Sequence, residues 1–253
     1  MIKQNLLDKI DRMVKQMRTD LKSEMDSYVT KVEEPELLEI LTYFEVVYSV
    51  FSDSGNKYGF DQIRHLPGMR KEKRKFKFSQ SPNGKSENWS SIIFENSNQN
   101  NFGLRFLKNN PLGREHYAVV NNSGIPTAPD ISCLAYFQPN KNNQMKDEFY
   151  YNHSESPLLL MIGECKYTRI TLTTARSIYG ICDDMNLRRL PPAWKIAKSW
   201  SIHKFFLKFK KMLVVYISNK LSNSVIEYFD FKKCVIIDGS ELINNKDTLI
   251  DLL

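Results

Sequence analysis

The sequence predicts an α/β sandwich with a central mixed β-sheet flanked by helices, preceded by an N-terminal helical extension. Three observations carry that expectation. Apolar residues recur at helical spacing near the N-terminus, short β-like runs separated by Gly, Pro and Asn fill the middle, and strand and helix patterns alternate in the C-terminal third. Several antiparallel-type strands followed by strand–helix–strand–helix make the sheet mixed.

In order along the chain, Leu6, Ile10, Met13, Met17, Leu21, Met25, Tyr28 and Val32 recur every three or four residues and predict an amphipathic helix over 2–32. Such a helix either packs on the core or pairs with a second copy. Pro35 ends it and suits the first turn of a second helix, Glu36 to Phe51. Residues 52–77 read as loop, with Gly55, Gly59, Pro67 and Gly68. Strand patterns follow at Trp89–Phe94, Gly103–Leu107, Tyr117–Val120 and Ile131–Phe137. The polar, Asn-rich stretch 138–156 reads as a loop insertion. Leu158–Tyr167 is a strand, and Thr171–Asn186 a helix with Leu172, Ala175, Ile178, Tyr179 and Cys182 on one face. Trp194–Lys210 reads as a further helix, Met212–Ile217 as a buried strand, and Ser222–Phe229 as a short helix that Ser222 caps. Lys233–Asp238 is the last strand, closed by Gly239, and Ser240–Leu253 a terminal helix.

The chain of 253 residues suits one large domain or two small ones. With 42% apolar and 26% charged residues it supports a core and is not globally disordered. The longest apolar runs, Leu158–Ile162 and Met212–Ile217, fall far short of the ~20 residues that span a bilayer, so no membrane partner is expected. The N-terminus has scattered charges and no apolar signal region. Cys133, Cys165, Cys182 and Cys234 form no CxxC pair and no zinc spacing, so they read as reduced thiols of a cytoplasmic protein. His65, His116, His153 and His203 are scattered, which disfavours histidine-based or zinc hydrolysis.

Charge is concentrated. Residues 187–211 hold Arg188, Arg189, Lys195, Lys198, Lys204, Lys208, Lys210 and Lys211 and no acid. That is +8 in 25 residues, so the remainder nets −1 against a total of +7. Residues 70–77 add six basic residues and one Glu. An isolated lysine run is ordinarily a solvated helix face; basic residues interleaved with Trp and Phe also suit a polyanion.

Two stretches carry chemistry: Thr127-Ala128-Pro129-Asp130-Ile131 and Leu158-Leu159-Leu160-Met161-Ile162-Gly163-Glu164-Cys165-Lys166. Strand alternation puts Leu160, Ile162, Glu164 and Lys166 on one face and Met161, Gly163 and Cys165 on the other. A Glu and a Lys at the end of so apolar a run need partners or an ion. If the strand after Asp130 is a neighbour, Asp130 and Glu164 converge, and two such carboxylates shift their pKa values or bind a cation. Hard oxygen donors suit Mg²⁺, with Mn²⁺ as a substitute. Lys166 would orient or deprotonate an attacking water, or stabilise transition-state charge. Taken singly, each feature has a plainer explanation: a Pro-Asp turn, and a cross-strand ion pair at a sheet edge.

With Pro129-Asp130 and Glu164-Cys165-Lys166 the sequence resembles the PD-(D/E)xK nuclease superfamily, with its restriction-endonuclease-like fold. The tail 212–253 resembles Mrr-type catalytic domains in its strand–helix–strand pattern ending Ile237-Asp238-Gly239. The resemblance spans about Thr127–Leu253 and implies a Mg²⁺-dependent endodeoxyribonuclease acting on DNA in restriction or another prokaryotic defence role. It implies a nuclease domain over 34–253, with a loop insertion at 138–156 and a basic insertion at 187–211, behind the N-terminal helix of 1–33. Asp130, Glu164 and the backbone carbonyl of Cys165 would hold the metal, and Lys166 would act beside them. The fold usually supplies one more acid from its first core helix. Glu45, flanked on the helix by Leu41 and Tyr48, is the candidate, as against an ion pair with a Lys or Arg; Glu39 is the weaker alternative. Arg169, Arg176, Arg188, Arg189, Lys195, Lys198, Lys204, Lys208 and Lys211 would bind nucleic acid beside the active site. Cutting both strands of a duplex favours a homodimer. The alternatives are a silent nuclease-fold protein that binds DNA or a partner protein, and a partner-activated RNA nuclease.

Overall fold

A computed structural model describes residues 2–17, 32–57, 62–66, 91–95, 102–108, 129–137, 158–184, 211–216 and 221–244. These residues form a mixed α/β structure with a central mixed sheet and flanking helices. Helix α1 (Ile2–Met17) is followed by α2 (Glu34–Lys57) and by strands β1 (Gln62–Leu66), β2 (Ser91–Glu95), β3 (Phe102–Lys108), β4 (Ile131–Phe137) and β5 (Leu158–Lys166). Then come α3 (Leu172–Asp184), β6 (Lys211–Tyr216), α4 (Asn223–Phe231), β7 (Val235–Asp238) and α5 (Gly239–Asn244). The seven strands lie in chain order across one sheet. β1 to β5 pair antiparallel, whereas β5, β6 and β7 pair parallel, with helical crossovers between them.

The alternation of side chains along the central strands builds a core on each face. Met161, Cys165, Leu213, Val215 and Ile237 join α1, α2 and Leu242 of α5 on one face. Ile162 and Val214 join Ala175, Ile178 and Tyr179 of α3 and Val225 and Phe229 of α4 on the other. α2 is the helix against the sheet. Its residues Leu37, Leu38, Ile40, Leu41, Tyr43, Phe44, Val46 and Val47 have no exposed surface, because α1 covers one side of it and the sheet the other. The Tyr43 hydroxyl donates to the Phe106 carbonyl and accepts from the Ile92 N–H, each at 3.1 Å, stitching α2 to β2 and β3. α4 ends with Lys233 in the left-handed region (φ 55°), where the Cys234 N–H bonds back to the Phe229 carbonyl and turns the chain into β7.

Several boundaries differ from expectation. The first helix is described only over Ile2–Met17; the rest of the expected 2–32 span lies outside the described residues, apart from Val32, which sits in a bend. The apolar stripe of α1 (Leu6, Ile10, Met13 and Val14) is buried within its own chain, so packing describes residues 2–17. α2 extends six residues past Phe51, through Gly55, into the stretch expected to be loop, and β1 lies in that stretch too. The expected strand Tyr117–Val120, the 138–156 insertion and the helix Trp194–Lys210 lie outside the described residues. No helix among the described residues is long and apolar enough to cross a membrane.

Candidate active site

Asp130 is the residue before β4. Ile131 pairs with Gly163, and one further step of that register sets Asp130 opposite Glu164. Residues in register share a face of the sheet, so the two carboxylates emerge together. A β-bulge makes this possible. Cys133 pairs with Met161 but Leu134 with Leu159, leaving Leu160 as the extra residue of β5. Continued without the bulge, the Leu134–Leu159 register would set Asp130 opposite Gly163, on the other face from Glu164. Gly163 itself permits a close approach: a Cβ there would meet the Ile131 Cβ at 3.3 Å.

The three side chains read from the sequence converge. Lys166 Nζ lies 2.8 Å from Glu164 Oε2 and 3.7 Å from Asp130 Oδ2. Asp130 Oδ2 also accepts the Cys165 backbone N–H at 2.7 Å. Their environment opposes ionisation of the acids. Burial first, then the charges of Glu164 and Glu39, push the Asp130 carboxyl up to about 7, against the pull of Lys166 and the Cys165 N–H. Burial likewise raises Glu164, although its ion pair and hydrogen bond with Lys166 hold it down in part. Burial would lower the Lys166 ammonium, but Glu164 and then Asp130 outweigh it and raise it. The Cys165 thiol is buried and held neutral, so this residue meets the site through its backbone.

The helix acid expected at the site is corrected. Glu45 pairs with Lys9 of α1, Nζ to Oε1 at 2.5 Å, with both side chains buried, and Lys9 also donates to the Leu242 carbonyl of α5. It is therefore the structural ion pair weighed against the catalytic role. Glu39 stands six residues nearer the start of α2, about 9 Å along the axis, and its charge is felt at Asp130, Glu164 and Cys165. Glu39 Oε2 pairs at 2.7 Å with Lys108, the last residue of β3, whose side chain is fully buried; Glu36 lies 3.7 Å from the same ammonium. The Tyr167 hydroxyl donates to Glu34 of α2. Lys108 escaped the sequence reading because the expected strand stopped at Leu107. Its signal was present: Leu104, Phe106 and Lys108 alternate on one core-facing side.

Arg169 is exposed in the loop after β5, and Arg176 is exposed on α3. Arg188, Arg189, Lys195, Lys198, Lys204 and Lys208 lie outside the described residues, and Lys211 opens β6. Asp130 and Glu164 offer hard oxygen donors whose crowded charge a cation relieves, which suits Mg²⁺ or Mn²⁺. Among the described residues no group of three or more His, Cys, Asp or Glu could hold a metal ion, so this pair is not an all-side-chain cage. Two carboxylates fit an ion that keeps several of its waters. Compared with family models, curated proteins and solved structures, the chain matches none.

Proposed function

We propose that the chain is a Mg²⁺-dependent nuclease of the PD-(D/E)xK type, with a restriction-endonuclease-like sandwich, hydrolysing phosphodiester bonds of DNA. One observation carries the reading: Asp130, Glu164 and Lys166 meet at the end of the sheet, with the ammonium within 3.7 Å of both carboxylates. A divalent ion bound to Asp130 and Glu164 would supply Lewis acidity toward a phosphate. Lys166 then orients the attacking water by hydrogen bonding and faces the charge that develops on the phosphorus oxygens. The bulge in β5 and the Cys165 N–H hold Asp130 in place, so the carboxylates are set before substrate arrives. Defence against foreign DNA and self-association into a dimer belong to this reading.

The direct test is incubation with plasmid, linear DNA and RNA under Mg²⁺, Mn²⁺ and EDTA. Asp130→Ala, Glu164→Ala and Lys166→Ala should abolish cleavage. Nucleic-acid binding should persist, because phosphate affinity comes mainly from Lys and Arg. Cleavage in EDTA, or by either carboxylate variant at the wild-type rate, would refute the assignment. Cleavage of RNA alone would move the substrate to RNA. A second reading has its own support, because Lys166 already contacts both carboxylates and offsets part of their charge. The chain would then bind nucleic acid without cutting it, and Mn²⁺ would leave its melting temperature unchanged.

A further inference from the structure

Lys108 is a fully buried ammonium at the margin of the proposed site. It pairs with Ile131 across β3 and β4, so it lies one residue from Asp130 in the sheet. Residues in register share a face, and Ile131 belongs to the core beneath α2. Lys108 therefore reaches between sheet and helix, where Nζ meets Glu39 at 2.7 Å and Glu36 at 3.7 Å. A buried ion pair contributes little net stability compared with apolar residues of the same size, yet breaking one is severe. A chain that needed only packing here would do as well with Met and Leu. The pair instead fixes, on the α2 side of the site end of the sheet, an acid whose charge reaches Asp130 and Glu164, and supplies its countercharge. The Tyr167–Glu34 hydrogen bond pins the same end of α2 to the residue after Lys166.

We propose that Lys108 is a positioning residue of the candidate site. It holds Glu39 on the α2 side of the site end and offsets part of its charge, so that it tunes the affinity of Asp130 and Glu164 for a divalent cation. The proposal rests on the metal-dependent reading above and adds to it a residue outside the Asp130–Glu164–Lys166 motif. Removing Lys108 takes away a positive charge and makes the surroundings of the site more negative. Neutralising Glu39 takes away a negative charge and makes them more positive.

The experiment is a double-mutant cycle on Mn²⁺ affinity of the full chain, read by isothermal titration calorimetry below the melting temperature of each variant. Lys108→Met should bind Mn²⁺ about three- to tenfold tighter, because one nearby positive charge is gone, and Glu39→Gln weaker by a similar factor, because one nearby negative charge is gone. The double variant should return close to the wild type. Equal affinities in all four proteins would reduce Lys108 to a packing residue and overturn the proposal while leaving the nuclease reading intact. A wild type that binds no Mn²⁺ would instead remove the metal-dependent reading, and the proposal with it. Should Lys108→Met fail to fold, Glu39→Gln decides alone, since it keeps the shape of the side chain; unchanged affinity there overturns the proposal.

Discussion

Asp130 is a residue whose charge the fold resists. Its carboxyl is pushed up to about 7, chiefly by burial and then by Glu164 and Glu39, whereas an Asp in the unfolded chain titrates near 4. Between those values the folded chain holds a proton that the unfolded chain has lost. Stability therefore falls as pH rises from about 4 to about 7, and is level above that. Asp130→Asn keeps an oxygen for the Cys165 N–H and removes the charge. It should melt higher than the wild type at pH 8 by at least about 2 °C, the shift that roughly 1 kcal/mol gives a chain of this size, and close to it at pH 4. Mg²⁺ should raise the wild-type melting temperature at pH 8 and leave the variant unmoved. Calorimetric melts across pH 4–8 with and without Mg²⁺ check this; an Asn variant less stable at pH 8 would show that the ionised carboxylate stabilises the fold. The Asp130–Glu164–Lys166 set was legible in the sequence because strand alternation and a Pro-Asp step mark it locally. The helix acid was not. Glu39 and Glu45 both lie on the buried helix, and only the positions of Lys108 and Lys9, far away in sequence, separate one from the other.

Elements reach the site through buried ion pairs as much as through apolar packing. Lys9 links α1 to Glu45 of α2 and to the Leu242 carbonyl of α5, so one ammonium joins both ends of the described chain. Lys9→Met would take the ammonium away from the buried Glu45 carboxylate and should cost about 3–5 kcal/mol, whereas Lys9→Met with Glu45→Leu should recover most of it. Urea denaturation of the single and double variants measures both; a single variant as stable as the wild type would mean that Glu45 finds other partners. The strands of this layer were largely legible. Ile131–Phe137 matches its expectation, and Leu158–Lys166 and Lys211–Tyr216 end within one residue of theirs, because continuous apolar runs bounded by turn residues leave little choice. β1 was missed because Gln62–Leu66 offers only Ile63 and Leu66 as apolar residues and lies at the sheet edge, next to β2 alone among the described strands. The bulge at Leu160 has no Gly or Pro to announce it. It is set by how β4 and β5 fit together, which no local pattern contains.

At the scale of the whole molecule the question is how the basic segment relates to the carboxylates. The sequence places 187–211 beside the chemistry because it follows the helix after Lys166. The topology places its anchors elsewhere. β5 and β6 run parallel, with Lys166 opposite Tyr216 and Met161 opposite Lys211. Lys211 therefore begins its strand five residues from the end that carries the site, about 16 Å away. α3 leaves the site end at Leu172 and, as a crossover between parallel strands, carries the chain back along the sheet for 13 residues, about 20 Å. Asp184 and Lys211, the two anchors, thus sit toward the end opposite the carboxylates. The 26 residues between them would extend about 39 Å as helix, enough to run out to the site and return. Phosphate contacts beside the chemistry must then come from the middle of the segment, and Lys211, held at an anchor, should matter least. Lys195→Glu with Lys198→Glu should weaken DNA binding sharply. It should also lower the slope of log affinity against log salt by about 2, near 0.9 for each phosphate no longer neutralised. Lys211→Glu alone should change both far less. Fluorescence anisotropy with a labelled duplex across a salt series gives affinity and slope together, and circular dichroism confirms that the variants fold. If the double variant keeps wild-type affinity and slope, the middle of the segment is a solvated surface, and the proposed DNA contacts pass to Arg169, Arg176 and the basic cluster of 70–77.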